Sequence, residues 1–365
     1  MAKLPDKVQD SKTVQYIYDW YKSKEYNKPR TYLGASQIGA ECERSLWYSF
    51  RHCGSEEFSG RMLRLFQTGH LAEDRFVSDL RNIGCIVHEV DPNTRRQFGV
   101  KDIGGHFRGH MDGAGVGIPE APQAWHVLEF KTHNAKSFAK LKNHGVKKSK
   151  PQHYAQMAVY MKLTGMKRAL YLAANKDTDE LYSERLRWEE GVAEDADRLM
   201  ERAKRIIEAT APPSRISDAA DSFACKWCSY KNLCHGLGEG GAVPCGSGCR
   251  TCVHATPEMD GDGRWSCNQT GGKVQITIEK QAVGCIEHKF VPGLVTFAEP
   301  VDSSKDWIEY RNADGTTWRN GPGEYSSEEL TKLPDPMVGA GLVGDVKDIF
   351  GAEVLDVREE VEDSE

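Results

Sequence analysis

Residues 106–131 read HFRGHMDGAGVGIPEAPQAWHVLEFK, and the fold turns on this stretch. Two extended runs, 106–112 and 125–131, flank a Gly/Pro-rich turn region from Gly113 to Gln123. The first run ends on Asp112, and the second ends on Glu129-Phe130-Lys131. Side chains alternate along a strand, so Val127, Glu129 and Lys131 share one face while Leu128 and Phe130 take the other. One face is therefore for packing and the other for chemistry. Two carboxylates at adjacent strand ends suit a hard cation such as Mg²⁺ or Mn²⁺, which prefers oxygen ligands. A lysine two residues on can orient a water and oppose charge on a phosphate, while a metal there lowers the water's pKa.

The pattern (D/E)-x-K is common, and it also occurs at Glu287–Lys289 and Asp345–Lys347. What singles out Glu129 is its setting. It ends an apolar strand, follows an acid at another strand end, and precedes a basic segment and a helix. Outward from it, periodicity predicts helices over 13–26, from Ser36 to Phe50 and over 61–82, and strands over 84–90, 168–175 and 181–188. Pro151 at a first helical turn predicts a helix to about Thr164, and a charged helix follows over 189–210. This is an α/β core. A Gly-rich joint at 236–241 then predicts a boundary, giving domains over 1–237 and 238–335 and an acidic, disordered tail over 336–365. A hairpin is expected around Asp314-Gly315, and a short strand over 273–278.

Composition suits a soluble globular protein, with 39% hydrophobic and 28% charged residues. No apolar run is long enough to cross a bilayer, and the polar N-terminus lacks a signal-peptide core, so a reducing cytoplasm is the expected setting. The net charge of −6 argues against a polyanionic partner until it is located: residues 353–365 hold seven acids and one base, leaving 1–352 neutral. Residues 132–150 carry Lys136, Lys140, Lys142, Lys147, Lys148 and Lys150 without one acid, a candidate DNA-backbone surface or else a solvated loop.

Eleven cysteines are many for a reducing compartment, and eight lie between Cys225 and Cys285, which points to bound metal. Cys42 with Cys225-x2-Cys228-x5-Cys234 forms one set, readable as buried thiols, zinc or iron–sulfur ligands. Cys249, Cys252, Cys267 and Cys285 form a second, loosely resembling a zinc ribbon, with Cys245, His254 or His288 as alternative members. Cys53 and Cys85 read as ordinary thiols.

Two more patterns complete the set: Gly69-His70-Leu71-Ala72-Glu73 on a helix, and Gln152, Gln156 and Tyr160 recurring every four residues on the helix after the lysine. Together these features resemble the RecB/AddB-like, iron–sulfur branch of the PD-(D/E)XK nucleases, which also includes CRISPR-adaptation nucleases and is akin to phage recombination exonucleases. The resemblance covers roughly residues 30–236. It implies a restriction-endonuclease-like core, a mixed sheet flanked by helices, followed here by a small Cys-rich β-type domain. It implies catalytic roles for Glu73, Asp112, Glu129, Lys131, Gln156 and Tyr160. Mg²⁺ or Mn²⁺ would be held by Glu73, Asp112, Glu129 and the Phe130 carbonyl, and a [4Fe–4S] cluster by Cys42, Cys225, Cys228 and Cys234. Glu73 stands where many relatives have histidine, and His70 is the alternative. The implied function is a metal-dependent DNA exonuclease in recombination, repair or end processing, in a phage or mobile-element context and with a possible partner protein. A structure-specific endonuclease or a non-catalytic DNA-binding subunit are the alternatives. No P-loop is present, so no helicase activity is expected.

Overall fold

The computed structural model describes residues 11–24, 30–54, 58–237 and 241–340. Most of the acidic tail and part of the Gly-rich joint lie outside these residues. Contacts divide the chain into two units: Met1–Pro29, Glu56–Val100 and Gly109–Leu199 form one, and Arg30–Ser55, Lys101–Arg108 and Met200–Glu365 the other.

The first unit is built on a five-stranded sheet ordered Ile86–His88, Gly113–Val116, His126–His133, Arg168–Asn175 and Leu181–Arg187. All neighbours are antiparallel except His126–His133 with Arg168–Asn175, which run parallel and pair Glu129 with Tyr171. Parallel neighbours need a crossover, supplied here by the helices Ala135–Ser149 and Pro151–Thr164. Pro151 starts the second of these and Gly165, at φ 76°, ends it, as the sequence predicts.

A long helix, Gly60–Asn82, begins with the Ser59 hydroxyl accepting from the Met62 N–H. Its buried Phe76, Val77 and Leu80 pack on Leu128, Phe130, Leu170 and Leu172 of the sheet. Phe76 and Phe130 stack with centroids 5.3 Å apart. Burying Leu128 and Phe130 this way turns Glu129 and Lys131 to the opposite face.

Three elements differ from expectation. Gly113–Val116, read as turn, is a strand, and the run over 106–112 is extended only at Phe107–His110. Leu128 explains the first difference: a Cβ on Gly115 would meet Leu128 Cδ1 at 3.2 Å, so the glycine makes room for its cross-strand neighbour. Asp112 consequently sits in the short link between the two extended segments. The lysine-rich stretch, weighed as a loop, is the Ala135–Ser149 helix, capped by the Asn134 side chain accepting from the Ser137 N–H at 2.9 Å.

In the second unit, Leu33–Gly34 pairs in parallel with Phe107–Arg108, and the helix Glu43–Phe50 buries Leu46, Trp47, Tyr48 and Phe50. Two antiparallel three-stranded sheets follow. One joins Ala255–Pro257, Trp265–Cys267 and Val274–Ile276; the other joins Ala298–Ser303, Ile308–Asn312 and Thr317–Asn320. The expected hairpin around Asp314-Gly315 is the turn of the latter. No described helix is long and apolar enough to cross a membrane.

Candidate active site

Asp112, Glu129 and Lys131 meet at one place in the first unit. Asp112 Oδ2 accepts the Phe130 N–H at 2.7 Å. The Lys131 ammonium lies 2.5 Å from Glu129 Oε1 and 3.5 Å from Asp112 Oδ2, and donates to the Phe130 carbonyl at 2.8 Å. Three of the groups expected to ligate a metal thus converge on one positive charge. Glu129 is fully buried; the Lys131 ammonium is the partner of its Oε1, and its Oε2 has no hydrogen-bond partner among the described residues. Burial pushes the Glu129 carboxyl up to about 7, with Lys131 opposing and Asp112 adding to the rise. Burial also works against the Lys131 ammonium, but Glu129 and Asp112 outweigh it and hold its pKa above the ordinary lysine value.

Glu73, from the long helix, joins electrostatically. Its carboxyl is raised by burial first and then by Asp112, with Lys131 and His70 opposing. Gln156 and Tyr160 are both buried. The Gln156 amide donates to the Tyr160 hydroxyl at 3.2 Å, and that hydroxyl donates to the His110 carbonyl at 2.7 Å. Both therefore brace the segment leading into Asp112. Gln152 is exposed, and Tyr154 donates instead to Asp195 Oδ2 at 2.5 Å.

A buried carboxylate partnered only by an ammonium, beside a second carboxylate and a carbonyl, is a donor set that fits a hard divalent cation. In this arrangement the lysine satisfies part of that need: among the described residues, no three His, Cys, Asp or Glu side chains are gathered closely enough to hold a metal ion.

The sequence reading left out three polar side chains on this face. The Tyr171 hydroxyl, opposite Glu129 in register, contacts His133 Nε2 at 2.8 Å and His153 Nδ1 at 2.9 Å. The signal for His133 was available, since it continues the 127, 129, 131 alternation; Tyr171 and His153 needed the parallel register.

The six candidate DNA-contacting lysines separate. Lys142 pairs with Glu180 at 2.5 Å, Lys147 pairs with Asp195 at 2.7 Å, and Lys150 donates to the Ser137 hydroxyl. Lys136, Lys140 and Lys148 are exposed and make no ion pair among the described residues.

Both cysteine sets lie in the second unit. The Cys228 thiol is pushed up by burial and then by Cys42, Cys234 and Cys225, so it senses the other three members of the set. Arg44 Nη1 lies 3.8 Å from Cys234 Sγ, and Arg215 donates twice to the Cys234 carbonyl. Cys249 is pushed up to about 11 by burial and then by Cys285, Cys252 and Cys267. Cys245 is raised by burial alone, with Cys53 as its sensed neighbour, which separates it from the second set. His288 Nε2 is within hydrogen-bond reach of Thr251 Oγ1 and the Gly248 carbonyl, and His254 of Asn268.

No curated protein matches the chain in sequence. Among solved structures, SSO0001 aligns with a TM-score of 0.37 at 14% identity, covering 61% of this chain and 96% of that one. The alkaline exonuclease LHK-Exo from Laribacter hongkongensis aligns at 0.33 and 16% identity, covering 51% and 92%. LHK-Exo in complex with dAMP aligns at 0.34 and 14% identity, covering 53% and 90%. Likenesses of this size carry no argument about activity. The family model does: residues 37–235, more than half of the chain and spanning every side chain of this site, match the PD-(D/E)XK nuclease superfamily, to which the protein belongs.

Proposed function

We propose that the chain is a metal-dependent DNA exonuclease. The observation that carries this is Glu129, a carboxylate sealed from water whose one close partner among the described residues is the Lys131 ammonium, and which is turned with Asp112 and the Phe130 carbonyl toward that single cation. These three groups and Glu73 would hold Mg²⁺ or Mn²⁺. Bound there, the ion supplies Lewis acidity to the scissile phosphate and acidifies a water. Lys131 orients that water and opposes charge building on the phosphate. Gln156 and Tyr160 fix the His110 carbonyl and so hold Asp112 in place. The motif order supports action at DNA ends, in recombination, repair or end processing of a phage or mobile element within a host cytoplasm, with or without a partner protein.

The same reading assigns residues 1–237 to the nuclease domain, 238–335 to a Cys-rich domain and 336–365 to an acidic tail. Cys42, Cys225, Cys228 and Cys234 would hold a [4Fe–4S] cluster, whose negative charge Arg44 suits, and Cys249, Cys252, Cys267 and Cys285 a structural zinc. Protein purified without oxygen should be brown with about four irons per chain, and Cys42→Ala should bleach it. Zinc in both sites without iron would overturn the cluster.

The deciding assay digests 5′- and 3′-labelled single and double strands, beside closed circular DNA, with Mg²⁺, Mn²⁺ or EDTA. Nucleotides should be released from ends only with metal, and circles should stay closed. Opening of circles would make the enzyme an endonuclease. Binding without cleavage of any substrate would make it a non-catalytic subunit.

A further inference from the structure

The helix Lys12–Ser23 buries none of its residues, yet it carries Val14, Tyr16, Ile17 and Trp20, all exposed. Tyr16 is 73% and Trp20 56% accessible, a large cost in water unless something else covers them. The helix is joined to the long helix by a very close crossing. A Cβ on Gly60 would meet the Tyr18 carbonyl oxygen at 2.2 Å, so the two backbones touch where no side chain intervenes. Beside the crossing lies an open groove of about 730 Å³ lined by Lys12, Tyr16, Ile17, Trp20, Tyr21 and Arg64.

The charge around these rings is predominantly positive. Lys12, Lys22, Arg61 and Arg64 are all exposed, and residues 60–72 contain no acid. The helix's own carboxylate, Asp19, accepts from the Gln15 amide at 2.8 Å. A purely apolar partner would bury these cations without counter-charge, whereas a nucleic acid offers both phosphates and ring faces. A duplex hides its base faces in the stack, and an unpaired strand exposes them. Arg64 precedes Glu73 by nine residues on the same helix, roughly 14 Å at 1.5 Å per residue.

We propose that this helix pair is a stacking platform for a single-stranded segment of the DNA substrate, with bases on Tyr16 and Trp20 and phosphates on Lys12 and Arg64. It rests on the DNA-nuclease reading and gives that reading a preference for unpaired strands. Recognition here is through ring faces and backbone charge, so it is insensitive to base sequence.

The test measures binding of a labelled oligothymidylate and of a blunt duplex by fluorescence anisotropy in EDTA, where cleavage plays no part. Tyr16→Ala/Trp20→Ala should weaken single-strand binding roughly tenfold or more and leave the duplex nearly unchanged. Trp20→Phe should keep most of the affinity. Lys12→Gln/Arg64→Gln should lower the slope of log affinity against log salt by about 1.4, for two phosphate contacts. Because the helix buries no residue, melting temperatures should match wild type.

Equal single-strand binding by the wild type and the double alanine variant would overturn the platform while leaving the nuclease intact. So would a dimer of the wild type that the variant abolishes without loss of DNA binding. If the wild type neither binds nor cuts any DNA, the nuclease reading itself fails.

Discussion

Arg250, in the second unit, is 1% exposed, and every nitrogen of its guanidinium donates: Nε and Nη2 to Gln281 Oε1, Nη1 to the Phe50 carbonyl and Nη2 to the Thr31 carbonyl. Its plane also lies over the Trp265 ring, 4.7 Å from the centroid. Glu129, in the first unit, is as deeply buried and has only the Lys131 ammonium beside it, on Oε1. Arg250 thus has every guanidinium nitrogen bonded, whereas Glu129 leans on a single lysine. A satisfied buried charge holds a fold in one arrangement. An unsatisfied one is costly to folding and marks the place where a ligand completes the bonding.

The largest test of this contrast is at Glu129. Glu129→Gln should lower cleavage by about 10²–10³-fold or more, as for loss of one transition-state-stabilising group, while the urea unfolding midpoint falls only modestly, because Lys131 loses one ion-pair partner but keeps Asp112 and the Phe130 carbonyl. A variant that cuts normally but unfolds readily would make Glu129 a structural residue. Arg250→Met should do the reverse. It strands three oxygen acceptors at about 1–3 kcal/mol each, so unfolding free energy should fall by several kcal/mol while cleavage per folded molecule stays the same.

Next in size is acid sensitivity. Burial pushes His133 down to about 4, helped by Lys150, Lys131 and Lys176, and His153 down to about 3, helped by Lys131, His133 and Lys150. An unfolded histidine takes its proton near pH 6.5, so between that pH and the folded values the unfolded chain binds more protons. Stability from these groups is complete above about pH 6.5 and is lost as pH falls toward 4. His133→Gln/His153→Gln should flatten the fall of the urea midpoint across that range; an undiminished fall would place the acid-sensitive groups elsewhere. The smallest effect concerns Lys136, Lys140 and Lys148, the lysines without ion pairs. Changing all three to Gln should reduce the salt slope of duplex binding by up to about 2.7 and leave turnover at saturation unchanged, whereas Lys142→Gln should shift the slope little because Glu180 already neutralises it.

The strand bearing Glu129, its parallel neighbour and the helix between Pro151 and Gly165 were legible because alternation, β-branched and aromatic runs, and proline and glycine punctuation all agreed. Gly113–Val116 was not, since Gly-Ala-Gly-Val lacks the side chains that announce a strand; its need for glycine lies in Leu128 and in the His88 carbonyl, 2.9 Å from where a Gly113 Cβ would sit. The Ala135–Ser149 helix was obscured by its lysines and by Gly145, which turns to φ 70° beside the Glu184 carboxylate. Asp112, Glu129 and Lys131 were readable as a set from the alternation around the Gly/Pro turn, although the strand runs past Lys131 to His133, but Tyr171 entered only with the register that pairs it with Glu129. The pairing of Lys142 and Lys147 with acids from other elements was likewise invisible to a reading of charge along one segment.

The bond from the Phe130 N–H to Asp112 has a consequence of its own. Gly113 pairs with Leu128 in the antiparallel ladder, and just beyond that pair a side-chain oxygen takes the amide. Asp112 Oδ2 therefore serves as a piece of main chain, and Oδ1 has no hydrogen bond among the described residues. One oxygen belongs to the sheet, and the other is left for the metal of the proposed reaction. An acid spliced into a strand in this way cannot swing freely, so its rotamer is chosen during folding rather than at the encounter with substrate, and little conformational freedom remains to be lost when the site is used.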